Sequence, residues 1–475
     1  MVVKKVKRLF NRIKNGATQA NISKEPQSKQ QTQQKLQAQP KATLQIIPRD
    51  NHPVSRKDIS SPALKVLYRL NNSNYQAYLV GGGVRDLLLG LHPKDFDIAT
   101  DAHPEEVNQL FKNSRLIGRR FKLVHVLFGR EVIEVATFRG HHEAPALSAN
   151  QSTSSEHGML LRDNVYGTME EDALRRDFTV NALYYCVKDF TIYDYAGGLE
   201  DIKKRELRLI GDPEKRYRED PVRMLRAVRF SAKLDFTIAT KTEAPIFELA
   251  PLLSNIPAAR LFDEVLKLML SGNALNTFRQ LRHYNLFGQL FPASEHSLKQ
   301  GPERYLKLIE QALVNTDERI KQRKPVTPAF LYAALLWPTL EDEWEKLKGN
   351  NTPPFPALQQ ASQKVITRQC KSTSIPKRFS LNMKEIWEMQ LRLPRRSGNK
   401  AQLLAEHPRF RAGYDFLLLR EQSGENLDGL GQWWTDYQKS DEHSQRKMTS
   451  NAKEHGPRPR RRKKRYSGNS QNSTH

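Results

Sequence analysis

Apolar positions recur at helical spacing in SPALKVLYRLNN (61–72), behind Ser60 or Ser61 as a cap. The short apolar run AYLV (77–80) and three glycines at 81–83 then predict a strand that turns sharply into a helix, VRDLLLG. A further strand is expected around Phe96-Asp97-Ile98. VHVLF (124–128) and VIEVAT (132–137) are β-branched runs joined by Gly129-Arg130-Glu131, which predicts a hairpin. Residues 140–165 are small and polar and read as a flexible insertion. From Met169 the pattern is helical, then extended through ALYYCV and FTIYDY, with Gly197-Gly198 opening another helix. From Asp212 onward helical periodicity dominates, as in AARLFDEVLKLML, and no fixed-period repeat stands out.

The fold class implied is α+β: a small mixed α/β head with a β-sheet palm, an all-helical neck and body, and disordered basic tails. The expected divisions are an arm at 1–50, the head at 51–211, the neck at 212–290, a body with an arginine-rich region at 291–440, and a tail at 441–475. The arm is Gln-rich with few aromatics, so it buries little apolar surface.

Composition narrows the class. Hydrophobic residues make up 38% of the 475, and no apolar run approaches the roughly 18 residues of a spanning helix. No uninterrupted apolar core of about 7–15 residues marks a secretory signal. Cys186 and Cys370 are far apart and lack neighbours at zinc-ligand spacing, which points to a reducing, cytoplasmic setting and no membrane. The formal charge of +25 favours a polyanionic partner, nucleic acid above all. Residues 1–16 carry six Lys/Arg and no acid, and residues 456–466 carry seven. Such runs suit phosphate contact, although solvated tails share that composition.

Chemistry concentrates in two linked segments, LVGGGVRD (79–86) and DFDI (95–98). Gly81 and Gly82, at the start of a helix, let backbone amides approach a triphosphate, with Arg85 one turn further on. By itself this is equally a plain tight turn. Asp95 and Asp97 stand two apart on an expected strand and so project to one face. Paired carboxylates repel unless a cation lies between them, and Mg²⁺ (or Mn²⁺) so held can bridge substrate phosphates. A lone DxD is more often two loop aspartates; a dozen residues after a glycine turn, the metal reading is the better one.

LVGGGVRDLLLG…KDFDIAT resembles the nucleotidyltransferase superfamily that contains bacterial poly(A) polymerases and tRNA CCA-adding enzymes. The likeness continues through IEVATFR (133–139), RRDFTVNAL (175–183) and YREDPVRMLRAVRF (217–230), in that order. It implies a metal-dependent catalytic head in which Asp95 and Asp97 bind the ion and Glu134 or Asp177 supplies a third acid. Strand geometry favours Glu134; Asp177 might instead pin Arg175 or Arg176. The resemblance also implies triphosphate or sugar contacts from Arg139 and Arg176, and base selection by Asp220 and Arg223, with Asn181 sharing a face with Asp177. Surface salt bridges are the ordinary alternative for these pairs.

LIGRRFKLVHVLF (116–128) and the arginine-rich stretch 387–420 are similar to the poly(A) polymerase branch. There the resemblance implies ATP as substrate, RNA 3′ ends bound largely without sequence reading, and contacts with RNA-decay machinery. Arg395, Arg396, Arg409 and Arg411 are the expected phosphate contacts. Phe410, Tyr414 and the Trp433-Trp434 pair are read as core, and His141-His142-Glu143 lacks the spacing of a helical zinc site.

Overall fold

The computed structural model describes residues 44–118, 122–140, 152–154, 160–163 and 165–452. Expectations for the two basic ends, Arg119-Arg120 and His141-His142-Glu143 lie outside the described residues. In chain order the head supplies β1 (Gln45–Ile47), α1 (Ser61–Asn72), β2 (Ala77–Val80), α2 (Gly82–Leu88), β3 (Asp97–Thr100), α3 (Pro104–Leu110), β4 (Ser114–Ile117), β5 (Leu123–Phe128) and β6 (Glu131–Thr137). It continues with β7 (Ser152–Ser154), β8 (Leu160–Asp163), α4 (Met169–Arg175), β9 (Leu183–Tyr185), β10 (Ile192–Asp194) and α5 (Gly198–Lys204).

Eight of these strands form one sheet in the order β1-β10-β9-β2-β3-β6-β5-β4. Its pairs are antiparallel except β3 with β6, which run parallel and place Asp97 opposite Glu134. Alternation along the strands divides the faces. Leu79, Ile98, Val124, Val126, Ile133 and Val135 point into the main core with Val66, Leu67 and Leu70 of α1. The opposite face carries a smaller cluster, Val80, Ala99, Phe138 and Tyr184 against Ala173 of α4. Asp97 and Glu134 belong to that second face, away from the main core.

The helix behind the glycines begins at an unusual backbone point. Gly81 has φ 69° and ψ −135°, in the left-handed half of the map where a side chain is strained. α1 starts as expected, with the Ser60 hydroxyl accepting from the Ala63 amide at 3.2 Å.

The neck consists of α6 (Pro213–Glu219), α7 (Val222–Leu234), α8 (Thr240–Leu249) and α9 (Ala258–Met269). On α7, Val222, Leu225, Val228 and Ala232 are buried, whereas Arg223, Arg226, Arg229 and Phe230 lie half-buried on the other side. The body is helical. Trp337, Tyr332 and Trp387 belong to the main core, and a second small core gathers around Trp434. Among the described residues no helix is long and apolar enough to cross a membrane.

Two segments read as disordered are regular. Residues 45–47 pair with β10, because their extended backbone finds an open sheet edge there. Residues beyond 441 continue as a helix, Glu442–Asn451, whose Asp441 cap accepts from the Ser444 amide at 2.8 Å and whose Met448 rests on the second core. Polar composition hid a helix that stands on a cap and one apolar contact. The strand containing Asp97 also starts later than expected: Asp95 and Phe96 approach it in irregular backbone.

Candidate active site

A cleft of about 600 Å³ opens between the palm and the neck. Gly81, Gly82, Arg85, Asp95, Asp97, Arg176, Asp177 and Asn181 line it from the head; Asp220, Arg223, Arg226, Arg229, Phe230, Arg260 and Glu264 line it from the neck. The palm side is acidic and poorly compensated. Asp97 retains solvent through the cleft mouth, yet the surrounding walls strip enough water to raise its carboxyl from 3.8 to about 6. Burial is the largest cause, the Glu134 and Asp95 charges add to it, and Arg176 opposes it. Glu134 pairs in turn with His125, Nε2 to Oε2 3.6 Å, on the neighbouring strand.

The neck side is largely the reverse: three of its cleft arginines are matched, and Arg229 is not. Arg226 holds Asp177 at 2.5 Å, Arg260 holds Asp220 at 2.7 Å, and Arg223 holds Glu219 at 3.0 Å. Burial alone would raise Asp177, but the Arg226 charge and hydrogen bonds from Arg226, the Phe178 amide and Asn181 outweigh it and lower its pKa. Among the described residues Arg229 makes no side-chain hydrogen bond or ion pair; its guanidinium lies over Phe230, 5.0 Å from the ring centroid.

Several expected contacts fall differently. Arg85 is buried beneath the glycine turn, where it binds Asp86 at 2.5 Å and donates to the Asn181 side-chain oxygen at 2.5 Å. Its charge is therefore already matched within the palm, because the neighbouring residue is an acid. Asn181 also donates to Asp177 at 3.3 Å, so it ties the glycine helix to the arginine wall. Asp177 pins neither Arg175 nor Arg176, since Arg226 reaches it first from α7. Arg176 instead binds Asp172 at 3.0 Å and the Tyr184 hydroxyl at 2.9 Å, and a side chain at Gly81 would stand only 3.3 Å from its Nη1. Glu134 and Arg139 do not line the cleft itself.

Sequence reasoning passed over Arg226, Arg229, Phe230 and Arg260. The signal for the first two was present: Arg223, Arg226 and Arg229 recur every three residues along one helix side, opposite the apolar stripe. Arg260 carried no local signal, since its partner Asp220 lies forty residues away.

Among the described residues no group of three or more His, Cys, Asp and Glu is assembled to hold an ion. Two carboxylates lining one cleft, Asp97 with a raised proton affinity, nevertheless fit Mg²⁺, which commonly takes one or two protein carboxylates and completes its shell with water and substrate phosphates. A palm sheet with this carboxylate pair, facing an arginine-bearing helix across a cleft, defines a nucleotidyltransferase.

The fold agrees with a solved relative, the CCA-adding enzyme of Bacillus stearothermophilus in complex with CTP. It is 28% identical, with a TM-score of 0.53 over 80% of this chain and 82% of that one. Residues 77–208 match the family described as the poly A polymerase head domain, 235–298 the "Probable RNA and SrmB- binding site of polymerase A", and 350–467 the polymerase A arginine-rich C-terminus. Poly(A) polymerase I of Salmonella typhimurium is 50% identical over 450 residues, 94% of this chain and 96% of that protein. The CCA-adding enzyme of Lactobacillus helveticus is 40% identical over 222 residues, only 47% of this chain and 53% of that protein. The chain belongs to the bacterial poly(A) polymerase family.

Proposed function

We propose that the cleft transfers adenylate from ATP to RNA 3′ ends without a template and releases pyrophosphate. The enzyme is a polynucleotide adenylyltransferase; 50% identity to a poly(A) polymerase across 94% of the chain supports this, whereas the 40% identity to the CCA-adding enzyme of Lactobacillus helveticus extends over 47% of it. The observation that carries the mechanism is Asp95 and Asp97 lining the same cleft as the Arg229 guanidinium.

Asp95 and Asp97 would hold Mg²⁺, with Mn²⁺ as a substitute, and Glu134 would support them from the adjoining strand; an ion held there would offset triphosphate charge and ease loss of the proton from the attacking 3′-hydroxyl. Gly81 and Gly82 permit the close approach of the nucleotide to the palm. Arg229, which makes no ion pair among the described residues, receives the outer phosphates as the departing pyrophosphate gains charge. Asp177 orients Arg226 and Asn181, while Asp220 and Arg223 face the base and exchange their present partners for its edge. The free thiols Cys186 and Cys370 suit a cytoplasmic enzyme. Adenylated 3′ ends would then be handed to RNA-decay machinery.

The test offers the purified enzyme a generic RNA and a tRNA lacking its terminus, with each nucleoside triphosphate separately. Long products from ATP alone on the generic RNA are expected. Limited C-then-A addition confined to the tRNA would overturn the reading.

A further inference from the structure

The arginines of the stretch 387–420 divide into two kinds. Arg392 binds Glu388 at 3.3 Å, Arg409 binds Glu385 at 2.8 Å, Arg411 binds Asp415 at 3.0 Å and Arg420 binds Glu425 at 2.5 Å. These charges are spent within the fold. Arg395 and Arg396, in the turn between the helices Lys377–Arg392 and Lys400–Ala405, hold no carboxylate among the described residues.

Arg396 is nonetheless fixed in place. Its guanidinium lies 5.0 Å from the centroid of the Trp433 ring, and Trp433 in turn stacks on Tyr437 at 5.1 Å and 13°. Trp434 closes the stack edge-on at 4.9 Å and donates its indole N–H to the Leu393 carbonyl at 3.1 Å, which anchors the turn to the second core. Arg396 Nη1 is shielded from water and has no acceptor. Burial accordingly lowers the pKa of the guanidinium. A planar cation held over an indole, without an ion pair among the described residues and with exposed Arg395 beside it, is pre-organised for an anion with several oxygens.

We propose that Arg396, backed by Trp433 and Tyr437, is a phosphodiester site for single-stranded RNA upstream of the 3′ end being extended. The site is separate from the cleft and contributes holding power without base reading. This rests on the assignment of RNA as substrate. Trp433 acts as a positioning residue, since its ring already carries Arg396 and stacks on Tyr437.

The test uses full-length enzyme, fluorescent oligoadenylate and no nucleotide, with affinity read across a salt series. Arg396→Ala should weaken binding about five- to tenfold at low salt and lower the log–log salt slope by roughly 0.7, the share of one phosphate on a single strand. Arg396→Lys should keep that slope yet bind several-fold more weakly, because an ammonium does not lie flat on the ring. Trp433→Leu should also weaken binding although no charge is lost. Unchanged affinity and slope in folded Arg396→Ala would overturn the site. If that variant unfolds, wild-type affinity in Arg396→Lys overturns it instead. An equal loss of ATP binding would also overturn it, placing the charge in nucleotide recognition. Wild-type enzyme that bound no RNA would overturn the substrate assignment as well; wild-type binding with an indifferent Arg396→Ala removes this site alone.

Discussion

The two walls of the cleft handle charge in opposite ways. On the palm, burial first and then the charges of Glu134 and Asp95 raise the proton affinity of Asp97. On the neck, Arg223, Arg226 and Arg260 are each paired with an acid, which holds a basic helix face in one conformation before substrate arrives. The palm is thus built around charge that must come from outside, and the neck, Arg229 apart, around charge already balanced. Removing a group should therefore relieve the first wall and damage the second.

Asp97→Asn should reduce incorporation on the order of 10³-fold or more while leaving RNA affinity largely intact. It should also raise the thermal midpoint of metal-free protein at pH 7. The sign follows from the pKa: the folded value of about 6 exceeds the ordinary 3.8, so ionisation penalises the fold as pH rises through 6 and the gain disappears below pH 4. A fall in midpoint at pH 7 would refute the relief argument.

Arg226→Ala makes the opposite case, because it leaves Asp177 buried without its cation. A stability loss of about 3–5 kcal/mol is expected by denaturant titration, together with lost activity. Arg229→Ala should cost almost no stability but raise KM for ATP about 10- to 100-fold, and an unchanged KM would remove it from the triphosphate site. The mildest probe is acidity: incorporation at fixed Mg²⁺ should drop about tenfold per unit as pH falls below 6, where protons displace the ion from Asp97. In Asp97→Glu variants the break should move.

How much could be read beforehand depended on distance along the chain. The strand Ala77–Val80 and the Ser60 cap follow from neighbours within a few residues. Arg85 shows the limit. Spacing put it near the glycine turn, but only the fold shows that Asp86 and Asn181, the latter 96 residues on, already occupy it. Periodicity identified α7 through its apolar stripe; which cleft its arginines face is decided by docking against a sheet laid down over a hundred residues earlier. The Trp pair divides for the same reason: Trp434 is core, as expected, whereas Trp433 is half-buried with an arginine lying over it.

The three residues Gln45–Ile47 do more than extend the palm. They cover the backbone edge of Ile192–Asp194 and become the outer strand of the sheet themselves. A protease that cuts ahead of Gln45 leaves that strand in place, whereas one that removes Ile46 and Ile47 bares the backbone of Ile192–Asp194 to pairing with another chain.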